Sequence, residues 1–328
     1  MNVGGVDVSL NTRDVEEWKL YLNNQFEQLQ RGDGKELDPY VNKIHEEFDF
    51  DDTRATIRCF SVALDGNGMP MTKQLAEYLC DFIVDYSIPR SRIQEAMAKD
   101  KQRNSSTEMT KLAIQASKLF NHLKSTGEGG EVLLYVLIQS ILHIPQLLCK
   151  MPLKTSSDVH YQGVDGIHGK FDNQTEKLAL YWAESKMYKN VNAAIKDCLD
   201  SLSPFLVDRA SPKMGRDLQL MRDFIDFGNM ELQEGILEFL DPGKVEYRHL
   251  EFRGACLIAF DYSAYPKLPG EKGEYEILQS INNAVQTWNR KLVKEVKSRT
   301  PLDRYILEVF LLPLDSVQTF RDAFLRAL

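Results

Sequence analysis

Eighteen consecutive residues, 132–149 (VLLYVLIQSILHIPQLLC), carry no charge. As a helix they would span about 27 Å at roughly 1.5 Å per residue, close to the thickness of a bilayer core. Glu131 stands at the start, however, and Gln139, Ser140, His143, Pro145 and Gln146 interrupt the run. A protein interior can hydrogen-bond such groups and hydrocarbon cannot. The stretch therefore predicts a helix buried inside a protein and no membrane span, with His143 a hydrogen-bonded core histidine.

The composition suits a packed chain. Hydrophobic residues are 43% and charged residues 27%, which excludes disordered and fibrous classes. At about 150 residues per domain, 328 residues suggest about two domains. Forty basic residues against 48 acidic give a net charge of −8, so bulk charge does not make this a nucleic-acid coat, although a local basic groove is still allowed. Five widely spaced cysteines with no CxxC indicate neither a disulfide framework nor a structural zinc site. The opening MNVGGVDVSLNTRD lacks the basic and apolar regions of a signal peptide, and a cytoplasmic location is expected.

Periodicity divides the rest. Helices are predicted over 12–30, 72–86, 90–103, 107–124, 191–202, 213–227 and 231–240, and a strand over 55–63. Three short strands are predicted in succession at 150–157, 163–171 and 178–187. A strand at 254–262, a helix at 275–298 and a strand at 304–312 form a β-α-β pattern. The expected fold class is α/β, a mixed sheet flanked by helices. Residues 1–104 read as an N-terminal α/β accessory and interface region. Residues 105–328 read as the main domain, ending in a β-α-β extension.

The chemistry concentrates in 127–189. In LALYWAESKMY (178–188), alternation puts Leu180, Trp182, Glu184 and Lys186 on one strand face. Upstream, GVDGIHGKF places Asp165 among three glycines. A two-residue hairpin loop at Gln174-Thr175 would pair Asp165 with Glu184, their Cβ atoms about 5 Å apart. Two carboxylates that close repel unless one is protonated or a cation lies between them. Mg²⁺ takes one or two carboxylates together with water and phosphate oxygens. Lys186 lies on the same face, within reach of such a water or phosphate, and Glu131 offers a third carboxylate. This set matches what phosphodiester hydrolysis needs: neutralised phosphoryl charge, an activated water and a stabilised leaving oxygen.

An acid on a helix, then Asp, about twenty residues, then Glu-x-Lys on the next strand resembles the PD-(D/E)xK nuclease superfamily, with Val164 standing where the nominal motif has proline. The fuller pattern GEGGE … LKTSSDVHYQGVDGIHGKF … WAESK is similar to the HamA family, nuclease subunits of the bacterial Hachiman antiphage defence system that partner the helicase HamB. The resemblance implies a restriction-endonuclease-like core, a DNA substrate, Mg²⁺ or Mn²⁺ as cofactor and a helicase subunit as partner. It makes Asp165 and Glu184 metal ligands, Glu131 the helix acid and a further ligand, and Lys186 the catalytic lysine. His160, His168 and Lys154 stand as candidates for site support.

Plainer readings stand beside these. On spacing alone, Glu184 and Lys186 suit the solvated end of a strand. Glu128 suits a helix-cap acid, and Trp182 and Trp288 suit the core. The basic runs RKLVKEVKSR (290–299) and Arg209, Lys213, Arg216 and Arg222 suit either solvated helix faces or a DNA track. The function expected is a metal-dependent DNA nuclease, the effector subunit of a nuclease–helicase complex. A free-standing restriction-type endonuclease and a catalytically silent binding subunit are the alternatives.

Overall fold

The computed structural model describes residues 15–32, 34–44, 48–49, 52–121, 127–154, 163–208 and 210–328. Strands β1 (Val41–Lys43), β2 (Phe48–Asp49), β3 (Ala55–Val62), β4 (Gln146–Leu148), β5 (Gly166–Asp172), β6 (Lys177–Tyr188), β7 (Leu250–Asp261) and β8 (Leu307–Leu314) form one sheet. Its order is β1-β3-β8-β7-β6-β5-β4, with β2 pairing β3 off that path. The run β3-β8-β7-β6 is parallel, and the flanking pairs β6–β5, β5–β4 and β3–β1 are antiparallel. The mixed α/β architecture is the one expected.

Helices cover the sheet. In chain order they are α1 (Val15–Leu29), α2 (Thr72–Tyr78), α3 (Ile83–Ser87), α4 (Arg90–Arg103), α5 (Thr107–Asn121), α6 (Glu128–Leu142), α7 (Met151–Lys154), α8 (Val191–Leu206), α9 (Pro212–Phe224), α10 (Met230–Leu240), α11 (Glu274–Lys297) and α12 (Val317–Ala327). The Asn190 side chain caps α8 by accepting from the N–H groups of Asn192 and Ala193. Along α11, Ile277, Ile281, Val285, Trp288, Leu292 and Val296 recur every three or four residues and are all buried. Among the described residues no helix is long and apolar enough to cross a membrane.

The uncharged stretch is split in two. Its first part is helix α6, buried almost all round; Pro145 cannot continue the helix, and Gln146–Leu148 become strand β4. His143 closes α6 in the left-handed conformation at φ 53° and is exposed, so its reading as a core histidine is corrected. The strand expected at 150–157 is also corrected. Residues 151–154 are the helical turn α7, and 155–162 lie outside the described residues.

The β7–α11–β8 unit occupies the middle of the sheet and is not appended to its edge. Strand β3, from the segment before residue 105, hydrogen-bonds directly to β8. Trp182 is buried against Phe205 and Phe252, and Trp288 against Phe260 and Tyr262.

Gly254 on β7 has no room for a side chain. A Cβ there would lie 2.7 Å from both Leu202 on α8 and Leu307 on β8. Gly254→Val is expected to lose about 1–3 kcal/mol in urea unfolding, through overpacking. Gly215→Ala on the exposed face of α9, where nothing lies within 4 Å of an added Cβ, should be neutral or stabilising by up to about 1 kcal/mol.

Candidate active site

Strand β6 is buried along most of its length because helices cover both of its faces. One face carries Trp182, Glu184 and Lys186 and looks toward α8; the other carries Ser185 and Met187 and looks toward the start of α6. Gly130 of GEGGE lets that second approach be close, since a Cβ there would fall 2.9 Å from the Met187 sulfur. A close helix start places Glu131 beside the strand.

The hairpin has the register expected from the sequence. Gly166 pairs with Ala183 and Ile167 with Trp182, so the ladder ends one step short of Asp165, whose carboxylate meets Ser185, the neighbour of Glu184. The connecting loop is longer than two residues, because the last pair is Asp172 with Lys177. Asp172 shapes the turn, its carboxylate accepting from the N–H groups of Gln174 and Thr175.

Each acid has a donor. The Asp165 carboxylate accepts from the N–H of Ser185 at 2.8 Å and from its hydroxyl at 2.9 Å. Lys186 Nζ donates to Glu184 at 2.5 Å, and the Tyr86 hydroxyl donates to Glu131 at 2.7 Å. Glu184 is buried with its side chain 6% exposed, while that of Lys186 is 22% exposed and opens the pair toward solvent. Burial, and then the charge of Asp165, push the Glu184 carboxyl up to about 7 against the pull of Lys186; the charge of Glu131 adds to the rise. Burial works to lower the Lys186 ammonium, but the charge and hydrogen bond of Glu184 outweigh it and hold the group above its ordinary value. Burial and the neighbouring Glu131 likewise hold the Tyr86 hydroxyl protonated.

Asp165, Lys186 and Glu131 thus all act electrostatically on Glu184. The three acids do not form a ligand cage, however: among the described residues no three His, Cys, Asp or Glu side chains converge on a metal-sized position. Glu131 is held by Tyr86, on the α6 side of the sheet. Asp165 and Glu184 are hard oxygen donors whose repulsion raises Glu184, and with water they match what Mg²⁺ or Mn²⁺ accepts.

The support candidates fare differently. His168 is a core residue. It lies fully buried against the Tyr135 ring, with Nδ1 3.2 Å from the Ile144 carbonyl, and burial lowers it to about 4, which keeps it neutral. It pairs with Tyr181 and packs into the core against α6, away from Glu184 and Lys186 on the α8 side, so its place as site support is corrected. His160 lies outside the described residues. Lys154 ends α7, and its side chain lies outside them too.

Sequence reasoning missed the Lys150–Asp217 pair. Both side chains are fully buried, with Nζ to Oδ2 at 2.9 Å, and Lys150 also donates to the Val164 carbonyl at 2.8 Å. Asp217 in turn accepts from the Val164 N–H at 3.4 Å. This ion pair grips the residue before Asp165 from both sides. Ser185 and Tyr86 were also missed; Ser185 is the middle residue of the Glu-x-Lys motif, whereas nothing local marks Tyr86.

The basic runs read as helix faces. In 290–299, Lys291 and Arg299 pair with Glu295, Arg299 also with Asp200, and Lys297 with Asp52. In the second cluster Arg222 donates to the Leu240 carbonyl, and Arg209 lies outside the described residues.

Two outcomes follow from this geometry. Lys150→Met, which strands a buried aspartate, should cost about 3–5 kcal/mol in chemical unfolding, and Lys150→Met/Asp217→Leu should recover most of it. The folded state also holds the Glu184 proton more tightly than the unfolded state, whose carboxyl titrates near 4.5. The stability this adds is complete below that value and is lost as pH rises through about 7. In chelator, Glu184→Gln should therefore gain on the parent chain across this window, by at most about 1.4 kcal/mol per pH unit.

One protein family, HamA, has a model that matches residues 38–328. No curated protein matches the chain.

Proposed function

The chain belongs to the HamA family, and from that premise we propose that it acts in Hachiman antiphage defence as a metal-dependent DNA nuclease working with a helicase subunit. The observation that carries the chemistry is the Asp165 carboxylate bonded to Ser185, the residue between Glu184 and Lys186, with Glu184 buried and bonded to the lysine.

Asp165 and Glu184 would hold the Mg²⁺ or Mn²⁺, which when bound supplies charge neutralisation on the phosphoryl oxygens and a more acidic water. The protein's own groups do the rest. Ser185 fixes the Asp165 carboxylate through two hydrogen bonds. Lys186, kept cationic by Glu184, orients the attacking water and offsets negative charge as it builds on the phosphate. Tyr86 holds Glu131 behind the pair, where its charge tunes Glu184.

The chain's net charge of −8 supports dependence on a partner for DNA access. The segment before residue 105 and the outer face of α11 are the surfaces proposed for the helicase.

A second reading rests on one observation: every site acid is already satisfied by a donor within the chain. On that reading the fold only binds. Digestion of linear and plasmid DNA in Mg²⁺, by the chain alone and with its helicase, separates the two. The nuclease reading expects Glu184→Gln and Lys186→Ala to lose at least about 100-fold in rate while keeping the parent's circular dichroism, and EDTA to abolish cleavage. Parent-level cutting by both variants, or full cutting in EDTA, would overturn the site. No cutting under any condition would leave the binding subunit.

A further inference from the structure

The sheet has a second polar feature, well away from Glu184. Where β6, β7 and β8 begin, a cavity of ≈ 620 Å³ opens, lined by Arg54, Lys177, Arg248 and Arg304 with Glu251 as its one acid. Lys177 is seven residues from Glu184 along β6, about 23 Å at roughly 3.3 Å per residue. The cavity therefore stands apart from the metal-site reading and does not rest on it.

Its charge is unbalanced. Glu251 is shared by Arg253 and, at 3.5 Å, Lys177. Among the described residues no carboxylate pairs with Arg54, Arg248 or Arg304. Arg54 and Arg304 are close neighbours, the Arg54 guanidinium reaching the Arg304 carbonyl at 3.5 Å. Clustered guanidiniums on a chain of net charge −8 repel one another unless an anion joins them. Guanidinium forks match phosphate oxygens in pairs. Tyr247, Tyr305 and Phe252 add flat apolar walls. Arginines and ring faces together suit a phosphate carrying a planar base. The volume is that of a pocket for one small molecule, a class that runs from about 300 to 1,000 Å³.

We propose that this cavity binds a nucleoside phosphate, the arginines taking the phosphate and the tyrosine rings the base. The ligand is either a free nucleotide or one nucleotide of a nucleic-acid strand. The test is calorimetric titration of the full chain in EDTA with AMP, ADP and ATP, a 5′-phosphorylated tetranucleotide, and an aspartate-rich peptide of matching charge. Saturable one-to-one binding of a phosphate ligand is expected, weakened at least about tenfold in Arg248→Glu and in Arg304→Glu. Lys213→Glu, the same charge change on the exposed face of α9, should leave it unaltered. Tightest binding by a mononucleotide assigns the free ligand, and tightest binding by the tetranucleotide assigns the strand. The proposal is overturned by no binding of any phosphate ligand at about 1 mM. It is equally overturned if the arginine variants bind as the parent does, or if the peptide binds as tightly as the nucleotides.

Discussion

Strand β6 has no free side. Both edges are hydrogen-bonded, to β5 and to β7, and helices cover both faces. A polar group buried on it must find its partners inside the protein or pay the full cost of desolvation. Glu184 is placed there nonetheless, and the surrounding structure answers to it. Lys186 offsets its charge, Ser185 holds Asp165 close enough for its charge to act on it, and the start of α6 does the same for Glu131. The balance favours burial and the neighbouring acids over the lysine, which holds the Glu184 carboxyl up to about 7.

A second buried pair secures the first. Lys150 and Asp217 hold the Val164 backbone through its carbonyl and its N–H, so the chain enters β5 with Asp165 already placed. Exposed ion pairs, such as those along α11, add little to stability. A fully buried pair is costly to break and fixes geometry more than it adds energy. The entry into β5 thus depends on α9 and on the residue before α7, neither of which carries a candidate site residue.

The sheet separates two kinds of surface. Acidic groups gather around Glu184, and arginines without a carboxylate partner among the described residues gather where the parallel strands begin.

The local parts of this arrangement were legible in the residues themselves. Period-two alternation set which side chains of β6 share a face, and the hairpin spacing gave the register of β5 on β6 from Gly166 to Asp172, because strand register is fixed once a turn closes. The apolar run fixed α6 as a buried helix, although Pro145 turned its end into a strand that a count of uncharged residues could not separate. Tertiary structure alone decided the rest. Tyr86 meets Glu131 across 45 residues and Lys150 meets Asp217 across 67, and no periodicity signals a pair that far apart. His168 shows the same limit in reverse. Its motif position suggested the site, but the pleat of β5 turned it toward Tyr135 and the core, because neighbouring strand residues point to opposite faces and only the packed helices say which face is dry.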